Sequence, residues 1–384
     1  MKSAKRPLID AHLDLAMNVV YYDRDIRLPL DELNERERGL SDLPFRGRAT
    51  LSLPELRDTG VAVCFATVLC RSGPHHRRRP SYRRSDLDFP VREAAWAMGQ
   101  AQLSLYRLLE EEGELKILRS VADLEQHWQV WQSADQHSNL PIGIVITMEG
   151  ADAVLRPEQV EAWYRDGVRA IGPAHYGYSH YAAGTNAEGG WTPAGLDLLT
   201  AMRECGMILE LTHLSDEAMT AAFDIWDGPV WATHHNCRRL VPWQRQLTDE
   251  QIRLVHQRGG LIGAACDAVM LDAPFAAATL ERRRKIDAGT AVQSPAPSPE
   301  VSMSAIVDHM ELVRELAGTS ACIGIGTDLD GGYGNEQTPT DLRRYRDLRL
   351  LEPLLADRGF SESEIDGVFY ENWLRKLREC LPPA

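Results

Sequence analysis

Eight short apolar runs separated by helical stretches constrain this chain more than any other feature of its sequence. They are LIDAHLDL (Leu8 to Leu15), GVAVCFATVL (Gly60 to Leu69), PIGIVITME (Pro141 to Glu149) and GVRAIGP (Gly167 to Pro173). GMILELTH (Gly206 to His213), PVWATH (Pro229 to His234), GGLIGAAC (Gly259 to Cys266) and ACIGIGTD (Ala321 to Asp328) complete the set. Several are apolar almost throughout, as expected of parallel strands covered on both faces. Helical periodicity runs over Val91 to Glu111, Pro193 to Cys205, Ser215 to Phe223, Thr248 to Gln257 and Ser302 to Leu316, with a last helix after Ser361. Ser215 ahead of Asp216 and Glu217, and Thr248 ahead of Asp249 and Glu250, are helix-start signals. The class is α/β, and the strand count predicts a (β/α)8 TIM-like barrel of the metal-dependent hydrolase type rather than an open doubly wound sheet. At 384 residues the chain is expected to form one such domain, residues 1–384, with insertions near 21–50, 71–90 and 273–300.

Charge and composition remove several function classes. The formal net charge of -14 argues against nucleic acid as the main partner. The run Arg71 to Pro90 is basic, with Arg77, Arg78, Arg79, Arg83 and Arg84, and reads as a solvated or salt-bridged loop. His75 and His76 in that loop have no acidic or cysteine neighbours and read as surface residues. The apolar runs fall well short of a membrane span. The seven cysteines are scattered, odd in number and without a CxxC pair, and the N-terminal stretch lacks the apolar core of a secretory leader. The expectation is a cytoplasmic protein with reduced thiols.

The chemistry-bearing residues fall on one rim. In a β/α barrel the active site lies at the C-terminal ends of the strands. Strand one ends in His12 and Asp14, strand three in Glu149, strand five in His213, strand six in His234 and strand eight in Asp328. His12 and Asp14 lie two apart, so both face the same side of a strand. Imidazole with carboxylate suits zinc. An HxD pair alone does not define a metal site, and a strand-end histidine satisfied by an acid is the alternative. His213 and His234, one strand apart on the same rim, form a second candidate pair; His235 should point the other way. Glu149 ends an apolar strand, where an unpartnered carboxylate is costly. Two cations, one at His12 and Asp14 and one at His213 and His234, would offset that cost if Glu149 bridged them. Asp328 sits in GIGTDLDGG, whose glycines allow close backbone approach, and Asp330 is expected to support it from behind.

The chain resembles the renal-type membrane dipeptidases, the M19 metallopeptidases and their bacterial members, from Leu8 to about Leu377. LIDAHLDL is similar to the family's opening strand, TMEGAD to its bridging-glutamate segment, and LELTHLSDEAM and ATHHNCRRL to its ligand-histidine segments. The resemblance implies metal ligands His12, Asp14, Glu149, His213 and His234, and two Zn2+ ions. GPAHYGYSHYA followed by GWTPAG implies a substrate-contacting His175; RQLTDEQI implies a substrate-binding Arg245; GIGTDLDGG implies a catalytic Asp328. ENWLRKL resembles the closing helix. The chain departs from the family in ACDAVML after strand seven, in Thr233 and His235 around the sixth-strand histidine, and in the basic insertion. These departures bear on the substrate pocket more than on the metal centre.

The implied reaction is hydrolysis of a dipeptide by a metal-bridging hydroxide. His175 would hydrogen-bond the oxyanion, Asp328 would shuttle the proton, and Arg245 would clamp the C-terminal carboxylate. The resemblance also implies tolerance of a D-residue at the C-terminal position and action on β-lactam-like amides. The expected partner is a small dipeptide, with a homodimer as the largest expected assembly. Two rivals stand beside this reading. One is another binuclear amidohydrolase-like enzyme, an acylamino-acid hydrolase or lactonase, which keeps the metals without needing Arg245. The other is a metal-free barrel that only binds.

Overall fold

Eight parallel strands form the barrel, each centred on one of the eight apolar runs. They are β1 (Leu8–Leu13), β2 (Val61–Leu69), β3 (Ile142–Glu149), β4 (Val168–Gly172), β5 (Ile208–Glu210), β6 (Val230–Trp231), β7 (Ile262–Ala264) and β8 (Ile323–Ile325). The computed structural model describes residues 5–72, 88–134, 136–290 and 297–384. The strands follow one another in order around the sheet, and β8 returns to β1 through Asp10 and Ile325. The β6–β7 seam is the thinnest join, held by the bridge between Ala232 and Ile262. Every strand residue is buried, which explains why the runs read as apolar rather than alternating.

The helices follow their sequence signals closely. Arg92–Glu111, Pro193–Glu204, Asp216–Ile225, Asp249–Gln257 and Ser304–Ala317 lie where the periodicity puts them. Ser215 Oγ accepts from Ala218 N at 3.1 Å, and Thr248 with Gln251 closes a capping box. The closing segment latches the bottom of β8. Asn372 Nδ2 donates to Ile323 O at 2.8 Å and Trp373 Nε1 to Ile325 O at 3.1 Å. Trp373 then packs with Phe65 of β2 and Trp231 of β6, ring centroids 5.1 and 5.9 Å away.

Three features differ from the sequence reading. A ninth strand, Leu115–Ile117, pairs in parallel with the start of β3, Ile142 to Ile144, and a helix, Val121–Ser133, follows it. Within 273–300, Ala273–Asp287 is helical. The basic-loop residues His75, His76, Arg77 to Arg79, Arg83 and Arg84 lie outside the described residues. The 21–50 segment holds a short helix, Leu30–Arg36, and is tied to the strand-end rim by Asp330. The buried Asp330 carboxylate accepts from Thr50 N at 2.9 Å and Thr50 Oγ1 at 2.7 Å.

Glycines make the seam possible. The Thr233 carbonyl is wedged between β7 and the turn after β8. A Cβ at Gly263 would sit 1.9 Å from that oxygen, and one at Gly326 1.7 Å from it. Gly326→Ala must therefore push Thr233 and its neighbour His234 outward. The expected result is a loss of stability of about 1–3 kcal/mol. Thermal melting checks it; an unchanged melt would contradict this reading of the seam.

Candidate metal centre

His12 lies on β1 and Glu149 ends β3, whereas His213, His234 and Asp328 sit just beyond their strand ends. β5 ends at Glu210 and β6 at Trp231, so His213 and His234 each lie three residues further on; Asp328 lies three past β8. His213 and Asp328 hold left-handed backbones, φ 70° and 57°. Such a conformation is uncommon outside glycine and persists where the surroundings impose it.

Two buried carboxylates impose it here by tying neighbouring strand ends together. Asp10 accepts from His12 N at 3.1 Å, Thr327 N at 2.9 Å, Thr327 Oγ1 at 2.6 Å and Tyr345 OH at 2.6 Å. It thereby fixes the turns that carry His12 and Asp328. Glu210 accepts from Thr212 N at 2.8 Å and Thr233 N at 3.1 Å, fixing the turns that carry His213 and His234. Burial raises the pKa of both carboxylates, against the hydrogen bonds they accept.

The side chains converge on Glu149. Its Oε1 lies 2.9 Å from His213 Nε2, 3.3 Å from His234 Nε2 and 3.5 Å from His175 Nε2. Its Oε2 lies 3.6 Å from His12 Nε2. His12 Nε2 is also 3.9 Å from Asp14 Oδ1 and 3.8 Å from Asp328 Oδ1. All six expected rim residues thus meet in one place, with His175 beside them.

This arrangement fits divalent metal ions. Two sets of ligand atoms, those of His12, Asp14 and Glu149 and those of Glu149, His213 and His234, each lie within 4.8 Å of one another. A third set joins Asp328 to His12 and His234. His12 Nε2 is buried, makes no hydrogen bond, and lies among three carboxylates at 3.6, 3.8 and 3.9 Å, a donor set that a cation would satisfy. Without a cation the three carboxylates crowd each other. Burial, together with Glu149, lifts Asp14 to about 6, and burial with Asp14 and Glu149 lifts Asp328 well above its ordinary value. Burial opposes the charge on Glu149 too, yet His12 holds it well below the usual range. Nitrogen and oxygen donors of this kind suit zinc.

Threonines orient the ligands. Thr185 Oγ1 lies 3.0 Å from His213 Nδ1 and can donate its own proton to His213 O. Thr233 Oγ1 lies 3.0 Å from His234 Nδ1, and Thr67 donates to Asp14. A partner on Nδ1 leaves Nε2 free to face an ion. Thr185 and Thr67 escaped the sequence reading; each sits on an element far from the ligand it serves.

Arg245 is buried beside this cluster. Its Nη2 donates to His234 O at 2.8 Å and its Nη1 lies 3.3 Å from His235 Nδ1. The surface pairing with Asp249 that its sequence position allowed is not formed; Asp249 pairs with Arg239. No carboxylate among the described residues pairs with the Arg245 guanidinium within 4.0 Å. His235, set aside as facing away from the ligands, abuts Arg245. Tyr176 and Trp243 stack nearby at 6.5 Å. Burial, against the pull of Glu149 and with Arg71 and Arg245 close by, pushes His175 down to about 3, so it is neutral. Among the described residues no helix is long and apolar enough to cross a membrane, and all seven cysteines are free.

Known proteins share this architecture. A metallopeptidase from Rhodobacter sphaeroides, liganded with a phosphinate mimic of the dipeptide L-Ala-D-Ala, superposes with a TM-score of 0.72 at 20% identity, over 98% of this chain and 100% of that one. A protein of the pqqA 5′ region of Klebsiella pneumoniae is 26% identical over 69% of this chain and 89% of its own. Dipeptidase aclJ of Aspergillus oryzae is 27% identical over 67% of this chain, and the match spans about half of that protein, 54%. The sequence model of the membrane dipeptidases, peptidase family M19, matches residues 3–381, and the chain belongs to that family.

Proposed function

We propose that the chain is a zinc-dependent dipeptidase whose two divalent ions share Glu149. The observation that carries this reading is the division of one carboxylate. Glu149 Oε1 faces His213 and His234, while Oε2 faces His12 beside Asp14. His12 and Asp14 would hold one ion, and His213 and His234 the other. Bound there, the ions would polarise the scissile carbonyl and make water a nucleophile near neutral pH.

The remaining work falls to the chain itself. Arg245, with no carboxylate of its own, holds the C-terminal carboxylate of the substrate in a bidentate pair. That clamp fixes one end of the substrate beside the centre and restricts it to two residues. His175 is a neutral donor and hydrogen-bonds the carbonyl oxygen as charge develops on it. Asp328, whose pKa burial raises well above the ordinary carboxylate value, takes the proton of the attacking water and delivers it to the leaving amine. The low dielectric of the rim strengthens each of these contacts.

A substrate panel tests the reading. It holds dipeptides with L- and D-residues at the C-terminal position, including L-Ala-D-Ala, together with N-acyl amino acids and lactones. Zinc-loaded protein is expected to hydrolyse dipeptides, and chelated protein to lose that activity and regain it on zinc addition. Turnover of N-acyl amino acids or lactones with no dipeptide cleavage would overturn it.

A further inference from the structure

Four histidines present Nε2 within 3.6 Å of a Glu149 oxygen: His12, His175, His213 and His234. Distance alone does not separate the metal ligands among them from the substrate contact. The atom behind the ring separates His175 from His213 and His234. His213 and His234 have a threonine hydroxyl against Nδ1. A hydroxyl accepts the Nδ1 proton and leaves the Nε2 lone pair free. His175 instead has Arg71, whose Nη1 lies 3.0 Å from His175 Nδ1. A guanidinium only donates. His175 Nδ1 must therefore accept, and in the neutral ring the proton lies on Nε2, the atom that faces Glu149.

We infer that Arg71 is a positioning residue that locks His175 into the Nε2–H tautomer, making it a hydrogen-bond donor to substrate and barring it from the metal. This rests on the dipeptidase reading above. Arg71 is itself held in place. Its Nη2 donates to Asp88 Oδ2 at 2.9 Å, and its Nε lies 2.8 Å from Asp88 Oδ1. The two residues belong to a small parallel strand pair, Arg71–Ser72 with Asp88–Phe89, at the rim beyond β2. The strand pair is anchored in turn by Asp152, which accepts from Ser72 N at 2.9 Å. Asp152 also accepts from Ser179 Oγ at 2.9 Å and His180 N at 3.2 Å, in the same excursion that carries His175. Arg71 thus fixes the protonation pattern of the ring, and Asp152 the excursion that carries it. Asp88 occupies the Nε and Nη2 side of the guanidinium while Nη1 faces His175.

The test uses zinc-loaded wild type and the variants Arg71→Met, Arg71→Lys, Asp88→Asn and His175→Ala. Removing one donor to an oxyanion costs about 10²–10³-fold in kcat, so that is the expected effect of His175→Ala. Arg71→Met should lower kcat by roughly tenfold or more, within that same ceiling, with KM for a dipeptide little changed. In the His175→Ala background it should add nothing, because a residue acting through another is silent once the other is gone. Arg71→Lys, still donor-only, should recover part of kcat. Nitrogen-15 spectra of labelled histidines read the tautomer without reference to activity: His175 is expected to show a protonated Nε2 in wild type and to lose that single pattern in Arg71→Met. If Arg71→Met does not fold, Asp88→Asn should show the same changes in weaker form. A change confined to KM, additive losses in the double variant, or an unchanged His175 tautomer would each overturn the inference. Absence of dipeptide turnover in wild type would instead overturn the dipeptidase reading, and the spectra would still report on Arg71.

Discussion

Asp328→Asn is expected to lower kcat on a dipeptide by about 10²–10⁴-fold, the usual weight of a general acid–base group, while both metal ions stay bound. The substitution is chosen to isolate the proton. Asn tolerates the left-handed backbone that Asp328 adopts at φ 57°. It keeps the size and one oxygen of the side chain. The turn around it is tight: a Cβ at Gly331 would lie 2.0 Å from Asp328 Oδ1, so larger replacements would confound folding with chemistry. The geometry leaves one competing role open to measurement. Asp328 Oδ1 lies 3.8 Å from His12 Nε2 and belongs to a set of ligand atoms with His12 and His234. Metal analysis of the variant separates the two roles. Loss of an ion along with activity would make Asp328 a ligand and not the proton carrier.

Arg245→Ala is expected to cut kcat/KM for dipeptides severely and to spare their C-terminal amides, which are already poor substrates. Truncating one partner of a buried, hydrogen-bonded charge pair costs about 2–5 kcal/mol, or roughly thirtyfold to several-thousandfold. Arg245→Lys should also be impaired, since an ammonium cannot reproduce the two-pronged contact. The guanidinium also supports the His234 carbonyl through Nη2. A purely structural role would therefore lower activity on dipeptide and amide alike. Comparing kcat/KM for a dipeptide and its amide, on wild type and variant, distinguishes the two. Equal losses would remove the proposed cause of dipeptide specificity.

What the sequence revealed and what it hid follow from how each feature is encoded. The strands are apolar runs with a ligand-type residue at or just past the end of most, so order, count and rim could be read directly. The turns after them could not. His213 and Asp328 continue the strand pattern in sequence, yet the strands stop three residues earlier and the backbone turns left-handed under the hold of Glu210 and Asp10. The supports were hidden because they are tertiary. Thr185 reaches His213 through an excursion after β4 that folds back in a bridge between Gly184 and Leu214. Arg71 looked like the start of a basic surface loop, and only the packing of Asp88 and His175 around it shows otherwise. Leu115–Ile117 is three residues long, too short for a periodicity to register. The contact of His235 with Arg245 was hidden because it depends on a loop returning ten residues later.

The central claim is that one buried glutamate joins two metal ions. A crystal structure of the zinc-loaded protein, with anomalous scattering recorded at the zinc edge, tests it most directly. The account predicts two peaks separated by roughly 3.5–4 Å, one beside His12 and Asp14 and the other beside His213 and His234, each with a Glu149 oxygen as ligand. A single peak, or two fully occupied peaks with Glu149 turned away from either, would contradict it.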